Sequence, residues 1–149
     1  MKLKDLLRGL EYEVLQQGNA LEKEITDVIY DTRNMVPGSV FVCIRGAKLD
    51  SHTLALQAVE RGAVALVVET PVENVPAGVT VLRTENSRIA LALLAANYYG
   101  HPAEKMKLIG VTGTKGKTTT TYLLKAILEQ VRGAKVGLIG TNQNMIGQE

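Results

Sequence analysis

The chain is 149 residues long and 46% hydrophobic, which is enough for a buried core and excludes a disordered protein. With 17 basic and 15 acidic residues, no Trp and one Phe, it offers neither a strong positive field nor basic patches between aromatics, so nucleic acid is not an expected partner. No apolar run approaches the roughly 20 residues that cross a bilayer, and no signal-peptide core follows Met1. We therefore expect a cytoplasmic protein that does not insert into membranes.

Strand and helix patterns alternate throughout the chain, which favours an α/β fold with largely parallel strands. The single cysteine, Cys43, falls in an apolar strand, and we interpret it as a small buried hydrophobe rather than a nucleophile. The predicted elements, in chain order, are a short amphipathic helix at 3–7, an alternating segment at 24–30, a strand at 39–44, a helix at 53–61, a strand at 63–68, a strand at 79–82, and a helix at 87–99 capped by Asn86 or Ser87.

A glycine and a proline end the last of these helices. Gly100-His101-Pro102 is incompatible with further helix, and the residues that follow resemble a linker. We therefore predict one domain at 1–101, of Rossmann-like architecture, and the start of a second domain at 102–149.

The second region has fewer elements. The sequence predicts a strand at 107–111, a glycine-rich loop, a helix with apolar residues at helical spacing that stops at Gly133, and a strand near 135–139. A single strand–helix–strand unit of this size cannot cover both faces of its sheet. We therefore expect the second domain to be truncated.

The segment Gly110-Val-Thr-Gly-Thr-Lys-Gly-Lys-Thr-Thr-Thr-Thr121 joins that predicted strand to the helix. Gly113 and Gly116 let the backbone adopt positive φ and turn successive N–H groups toward one point, which suits phosphate oxygens. Lys117 supplies a charge for the β- and γ-phosphates, and the Thr118 hydroxyl supplies a magnesium ligand. The sequence therefore predicts a nucleoside triphosphate site with magnesium. Its predicted phosphate-binding residues are Gly113, Thr114, Lys115, Gly116, Lys117, Thr118 and Thr119.

The loop departs from the common phosphate-loop pattern, because Val111 stands where G-x-x-x-x-G-K-[ST] has its first glycine. Its spelling at 112–120, T-G-T-K-G-K-T-T-T, resembles the ATP loop of the Mur ligases, whose usual form is T-G-T-N-G-K-T-T-T. Lys115 replaces the usual asparagine and adds a second positive charge without removing a group that the chemistry needs. The resemblance implies ATP and Mg2+ as cofactors and Lys117 as the catalytic residue.

The first domain carries an independent resemblance to the same family. Its motifs look like the D-S-R, P-G-x-L-F-V-A, G-x-x-x-D-G-H and A-x-x-x-G-A motifs of the N-terminal domain that the MurE and MurF members share. The matching segments here are 31–33, 36–42, 45–52 and 58–63. With the ATP loop, the resemblance covers essentially the whole chain, and Gly137-Leu-Ile-Gly-Thr141 looks more like MurE than MurF.

The resemblance also implies a substrate site, since the N-terminal domain of that family holds the UDP part of a UDP-N-acetylmuramoyl-peptide. Thr32 stands at the position of the family's substrate-binding serine. The other residues on the uridine-contacting stretches are Tyr30, Ala47, Lys48 and Leu49. A simpler interpretation exists for their neighbours: Asp31 and Arg33 could pair at a strand end, and His52 is more often a cap or surface residue than a ligand.

The function implied by the resemblance is that of the N-terminal portion of a MurE-type ligase. Such an enzyme uses ATP to join an amino acid, diaminopimelate or lysine, to UDP-N-acetylmuramoyl-L-alanyl-D-glutamate through an acyl phosphate, in peptidoglycan synthesis. Two alternatives stay open: a MurF-type ligase, which adds a dipeptide, and a non-catalytic nucleotide- or UDP-sugar-binding module.

The positions of the acidic residues suggest that the ATP site is incomplete. Phosphate-loop enzymes usually hold magnesium with a carboxylate on a later strand, yet every Asp precedes the loop and only Glu129 and Glu149 follow it. We therefore expect the chain to carry half of an ATP site and to need the family's central and C-terminal domains. Alone, it is expected to be inactive.

Overall fold

The computed structural model describes residues 1–47 and 49–147 of the chain. They form two units, Met1–Met106 and Lys107–Glu149, each of which is described here by itself. The domain boundary predicted after residue 101 stays a prediction.

A five-stranded sheet lies at the centre of the first unit, in the order β1-β5-β4-β3-β2. Strands β2 to β5 are parallel to one another, and β1 pairs antiparallel with β5 at one edge. This confirms the predicted α/β class with a largely parallel sheet. The elements are α1 (Leu3–Leu6), β1 (Glu13–Gln16), β2 (Val28–Ile29), a 3-10 turn (Thr32–Asn34), β3 (Val40–Val42), a 3-10 turn (Ser51–Leu54), α2 (Ala55–Glu60), β4 (Ala65–Val68), β5 (Thr80–Arg83), α3 (Ser87–Tyr98) and a 3-10 turn (Pro102–Lys105).

Both faces of this sheet are covered. Side chains alternate along a strand, so Val40 and Val42 of β3 join the core under α1 and α3. Phe41 and the following Cys43 join the core under α2 on the other face. Strand β4 divides its four buried residues in the same way. A strand buried on both faces is a continuous apolar run, which is why the sequence identified β3 and β4 so clearly.

The carboxyl ends of the parallel strands lie at one edge of the sheet, and polar segments follow each of them. These segments are 30–33 after β2, 44–52 after β3, 69–70 after β4 and 84–88 after β5. In open α/β sheets, ligands bind outside this edge. The predicted substrate residues all belong to the first two segments.

The described residues of the second unit, 107–147, form one long helix and a hairpin: α4 (Lys117–Arg132), β6 (Gly137–Ile139) and β7 (Asn144–Ile146), the two strands being antiparallel. Gly133 ends α4 at a φ of 60°, as predicted. The buried Lys125 ammonium links helix and hairpin, donating to Glu129 Oε1 at 2.6 Å and to the Gly147 carbonyl at 2.5 Å.

The prediction of a strand at 107–111 is wrong for this structure. The segment is apolar in sequence but forms no strand, and the side chains of Leu108 and Ile109 are 71% and 60% exposed. A strand is stabilised by a hydrogen-bonded neighbour and by burial of its side chains, and the described residues of the second unit provide neither for this segment.

Candidate functional site

A cavity of about 430 Å3 opens at the carboxyl edge of the first unit's sheet. It contains three of the predicted substrate residues, Tyr30, Thr32 and Leu49. Ala47 is not among the described lining residues, and Lys48 lies outside the residues that the structure describes. The described lining residues are Tyr30, Asp31, Thr32, Arg33, Ile44, Gly46, Leu49, Ser51, Leu54 and Arg88.

The segment after β2 is fixed by a local ion pair. Asp31 Oδ1 accepts from the Arg33 backbone N–H at 3.0 Å, and the Arg33 guanidinium bonds both carboxylate oxygens at 2.5 to 3.0 Å. The Arg33 side chain is the main reason that the pKa of Asp31 is lowered to about 2. Arg61 Nη1 donates to the Thr32 carbonyl at 2.6 Å. The simpler interpretation of the Asp31 and Arg33 pair is therefore confirmed, and Thr32 is held at the cavity wall.

The loop after β3 is closed by short-range hydrogen bonds. The Ser51 hydroxyl accepts from the Ile44 N–H at 2.6 Å and donates to the Ile44 carbonyl at 3.0 Å. The Gly46 N–H donates to the Leu49 carbonyl at 2.9 Å, and a Cβ on Gly46 would lie 2.8 Å from that oxygen. Glycine is therefore required at 46. Leu49 lines the cavity from a loop that is closed by the bonds between Ile44 and Ser51 and between Gly46 and Leu49.

His52 is a buried link between two segments, since its side chain is 8% exposed. Nδ1 lies 2.5 Å from Asp50 Oδ1, and Nε2 accepts from the Glu69 N–H at 2.9 Å. A backbone N–H can only donate, so Nε2 carries no proton and Nδ1 donates to the carboxylate. The backbone and side chain of His52 lower the pKa of Asp50. The sequence interpretation of His52 as a cap or surface residue is wrong.

Charged groups join the segments that follow β3, β4 and β5. Glu69 Oε1 accepts from the N–H and the hydroxyl of Ser87, at 2.9 and 2.7 Å, and these bonds lower the pKa of Glu69. Arg45 Nε lies 3.4 Å from Asp50 Oδ2 and 4.0 Å from Glu69 Oε2, and Arg88 Nη2 donates to the Arg45 carbonyl at 3.0 Å. No motif in the sequence pointed to Glu69 or Arg88 at this edge, and Ser87 was predicted only as a possible helix cap. Their common signal was a position just beyond the end of a parallel strand.

The phosphate loop is the second candidate site, and it lies in the second unit. Gly113 and Gly116 have φ values of 144° and 78°, so both glycines adopt the positive φ predicted for them. A Cβ on Gly116 would meet nothing within 4 Å, so backbone conformation is what demands glycine there. The helix α4 begins at Lys117 with no side chain capping its first N–H groups. Those donors therefore face the position where an anion would bind.

The Lys117 ammonium already lies at this loop, donating to the Gly113 carbonyl at 2.5 Å. Thr114 and Lys115 are exposed loop residues, and Thr118 is half-buried in the first turn of α4. A cavity of about 500 Å3 borders this turn and is lined by Thr118, Thr119, Tyr122, Leu123 and Asn142. The loop amides, an ammonium and hydroxyls are a donor set that fits a polyphosphate with magnesium.

Carboxylates for a metal ion are not gathered at this loop. Among the described residues, no group of three or more His, Cys, Asp or Glu side chains is placed to hold a metal. Glu129 lies three turns along α4 from Lys117, roughly 18 Å at 1.5 Å per residue, and bonds Lys125. The described part of the second unit thus offers donors that suit phosphate oxygens, without a cluster of carboxylates beside them.

The two units match two domains of one family. Residues 24–99 match the Mur ligase family catalytic domain, and residues 111–149 match the Mur ligase middle domain. The chain therefore belongs to the Mur ligase family, as its motifs predicted. No helix among the described residues has the length and apolar character needed to cross a membrane.

Similar curated proteins within that family are named as diaminopimelate ligases. UDP-N-acetylmuramoyl-L-alanyl-D-glutamate--2,6-diaminopimelate ligase of Clostridium perfringens (strain 13 / Type A) is 43% identical over 149 residues, which is 100% of this chain and 30% of the relative. The protein of the same name from Clostridium tetani (strain Massachusetts / E88) is 47% identical, over 99% of this chain and 30% of its own length. The chain thus spans about 30% of the length of these relatives.

Solved structures agree on the fold. MurF from Acinetobacter baumannii is 28% identical with a TM-score of 0.63, over 87% of this chain and 28% of that chain. MurF ligase from Thermotoga maritima in complex with ADP is 29% identical with a TM-score of 0.53, over 70% of this chain and 23% of that chain. The predicted α/β fold is confirmed by these similarities.

Proposed function

We propose that the chain is the N-terminal portion of a MurE-type ligase, which adds diaminopimelate to UDP-N-acetylmuramoyl-L-alanyl-D-glutamate in the cytoplasm. The observation that carries the proposal is the 43% and 47% identity, along almost the entire chain, to relatives named for this reaction. Lysine is the alternative to diaminopimelate, because in this proposal the added amino acid is selected by residues of the C-terminal domain. The central and C-terminal domains of the enzyme are required partners in this proposal.

The cavity of the first unit would hold the uridine nucleotide. Tyr30 and Leu49 are 59% and 56% exposed at its wall and offer an aromatic and an aliphatic surface to a flat base. Thr32 lines the same cavity with a hydroxyl that can donate or accept. Ala47 and Lys48, on the same loop as Leu49, are the remaining proposed contacts.

The phosphate loop of the second unit would hold ATP. The backbone N–H groups at 113–119 would donate to phosphate oxygens, the Lys117 ammonium, which now donates to the Gly113 carbonyl, would supply positive charge to the β- and γ-phosphates, and the Thr118 hydroxyl would be a ligand for Mg2+. In the complete enzyme the substrate carboxylate would attack the γ-phosphate and release ADP, and the amine of the incoming amino acid would then displace inorganic phosphate from the acyl phosphate and lose a proton as the amide forms. The loop residues neutralise charge on the transferred group.

The first experiment tests the ATP site by calorimetric titration of the 149-residue chain with ATP and Mg2+. Lys117→Ala should weaken ATP binding roughly 10- to 100-fold, the cost of a charged hydrogen bond. Lys135→Ala is the matched control, because it removes the same charge from an exposed residue of the second unit that lies outside the loop at 113–119. Equal affinity of the wild type and Lys117→Ala would contradict the proposed role of Lys117.

A second titration separates the proposal from its alternatives. A MurE-type site should bind UDP-N-acetylmuramoyl-L-alanyl-D-glutamate, whereas a MurF-type ligase should prefer the substrate that already carries the third amino acid. Absence of any uridine-nucleotide binding would contradict both. The chain alone should release no ADP from ATP, and magnesium-dependent turnover that Lys117→Ala abolishes would disprove the incomplete site.

A further inference from the structure

Two guanidinium groups line the cavity of the first unit, and they differ in their partners. Arg33 is neutralised by Asp31 through bonds from its backbone and side chain. The described hydrogen bond of Arg88 goes to one backbone carbonyl, Arg45 O at 3.0 Å, and no described ion pair involves Arg88. The described charges at the cavity wall therefore leave one net positive charge, carried by Arg88.

The backbone of Arg88 is held at the start of a helix. It is the second residue of α3, a helix of 12 residues, and follows the end of β5 by a short turn. The Asn86 side chain accepts from the N–H groups of Arg88 and Ile89, at 3.0 and 3.1 Å. Because these backbone donors are already bonded to the cap, the guanidinium is the group at this helix end that is available to an anion.

We propose that Arg88 binds the diphosphate of the uridine nucleotide, with its planar fork directed to phosphate oxygens at the cavity wall. Five N–H donors in a fixed plane suit phosphate, and the one hydrogen bond that Arg88 makes among the described residues, to the Arg45 carbonyl, leaves further donors for a ligand. The apolar part of the same wall, Tyr30 and Leu49, suits the base. This inference rests on the proposed function, in which the cavity holds a UDP-linked substrate.

The experiment measures the binding of uridine, UMP and UDP to the 149-residue chain and to three variants, by calorimetry or by NMR titration where binding is weak. Arg88→Gln should weaken UDP binding roughly 10- to 100-fold and leave uridine binding unchanged. Arg88→Lys keeps the charge but loses the planar fork, so its affinity for UDP should lie between those of the wild type and Arg88→Gln. Arg8→Gln is the control, because it removes the same charge at a distance from the cavity. The Arg8 carbonyl accepts from Asn97, near the end of α3 opposite to Arg88.

The ratio of uridine affinity to UDP affinity distinguishes the outcomes. If Arg88→Gln weakens uridine and UDP by the same factor, Arg88 acts through its bond to the loop residue Arg45, and the diphosphate contact is disproved. Unchanged UDP affinity in Arg88→Gln also disproves it. If the wild type binds none of the three ligands, the proposed function fails, and this inference fails with it.

Discussion

Through the two nitrogens of its ring, His52 links Asp50, in the loop after β3, to Glu69, the residue after β4. Replacing it with asparagine removes the acceptor for the Glu69 N–H, a partly buried group. We expect His52→Asn to lower the free energy of unfolding by roughly 1 to 3 kcal/mol, the cost of an unsatisfied buried donor. Urea unfolding measures this. His101→Asn is the matched control, because that imidazole is 45% exposed, and asparagine tolerates its positive φ of 52°. Equal losses would contradict the role assigned to His52.

Cys43 is buried, and its burial raises the pKa of the thiol to about 12. The thiolate is the reactive form, so iodoacetamide should modify the folded chain only very slowly at pH 8. Modification should become rapid in 6 to 8 M urea, where the thiol returns to about pKa 8.5. Mass spectrometry of the time course measures both rates. Rapid labelling of the folded chain would show that Cys43 is accessible and would contradict its assignment to the core.

At the scale of elements, the turn between α2 and β4 depends on Gly62. Its φ is 102°, and a Cβ there would lie 2.7 Å from the Pro37 Cα. Backbone contact leaves no flexible atom to move aside, so Gly62→Ala should destabilise the first unit by about 2 kcal/mol or more. Gly78→Ala is the control, because its Cβ would meet nothing within 4 Å and should change the stability by less than about 0.5 kcal/mol. Chemical denaturation of both variants gives the comparison.

The elements that the sequence predicted best are those with complete local signals. Helix α3 begins at the Asn86 cap, α4 ends at Gly133, and the buried strands β3 and β4 appear as apolar runs. Strand β1 was not predicted, because its residues are mostly exposed and carry no alternating pattern; it forms by pairing with β5. The strand expected at 107–111 failed for the opposite reason, since apolar sequence alone does not supply a pairing partner.

For the candidate sites, the same distinction holds between local and long-range signals. The conformations of Gly113 and Gly116 followed from the loop sequence, because positive φ at glycine is a local property. The link from His52 to Glu69 joins residues 17 positions apart, and the bond from Arg88 to Arg45 spans 43 positions. No periodicity or motif specifies such contacts, since they depend on which strand ends the sheet brings together.

For the whole molecule, the two units differ in the core that each contains. Both hydrophobic clusters found among residues 1–47 and 49–147 consist of residues from the first unit. Among the described residues of the second unit, Leu138 is the one buried hydrophobic side chain, whereas Leu123, Ile127 and Val131 of α4 are more than half exposed. Since burial of apolar surface is the main stabilising term in folding, the first unit should fold without the second.

A chain shortened to residues 1–106 tests this expectation. It should unfold in one cooperative transition, with a midpoint close to that of the corresponding transition of the full chain, and bind UDP with unchanged affinity, because every described residue of the cavity lies before residue 89. It should lose ATP binding, since the phosphate loop is absent. A separate peptide of residues 107–149 should show no cooperative unfolding. Circular dichroism and UDP titration of the short chain measure these outcomes, and loss of folding or of UDP binding in residues 1–106 would show that the first unit depends on the second.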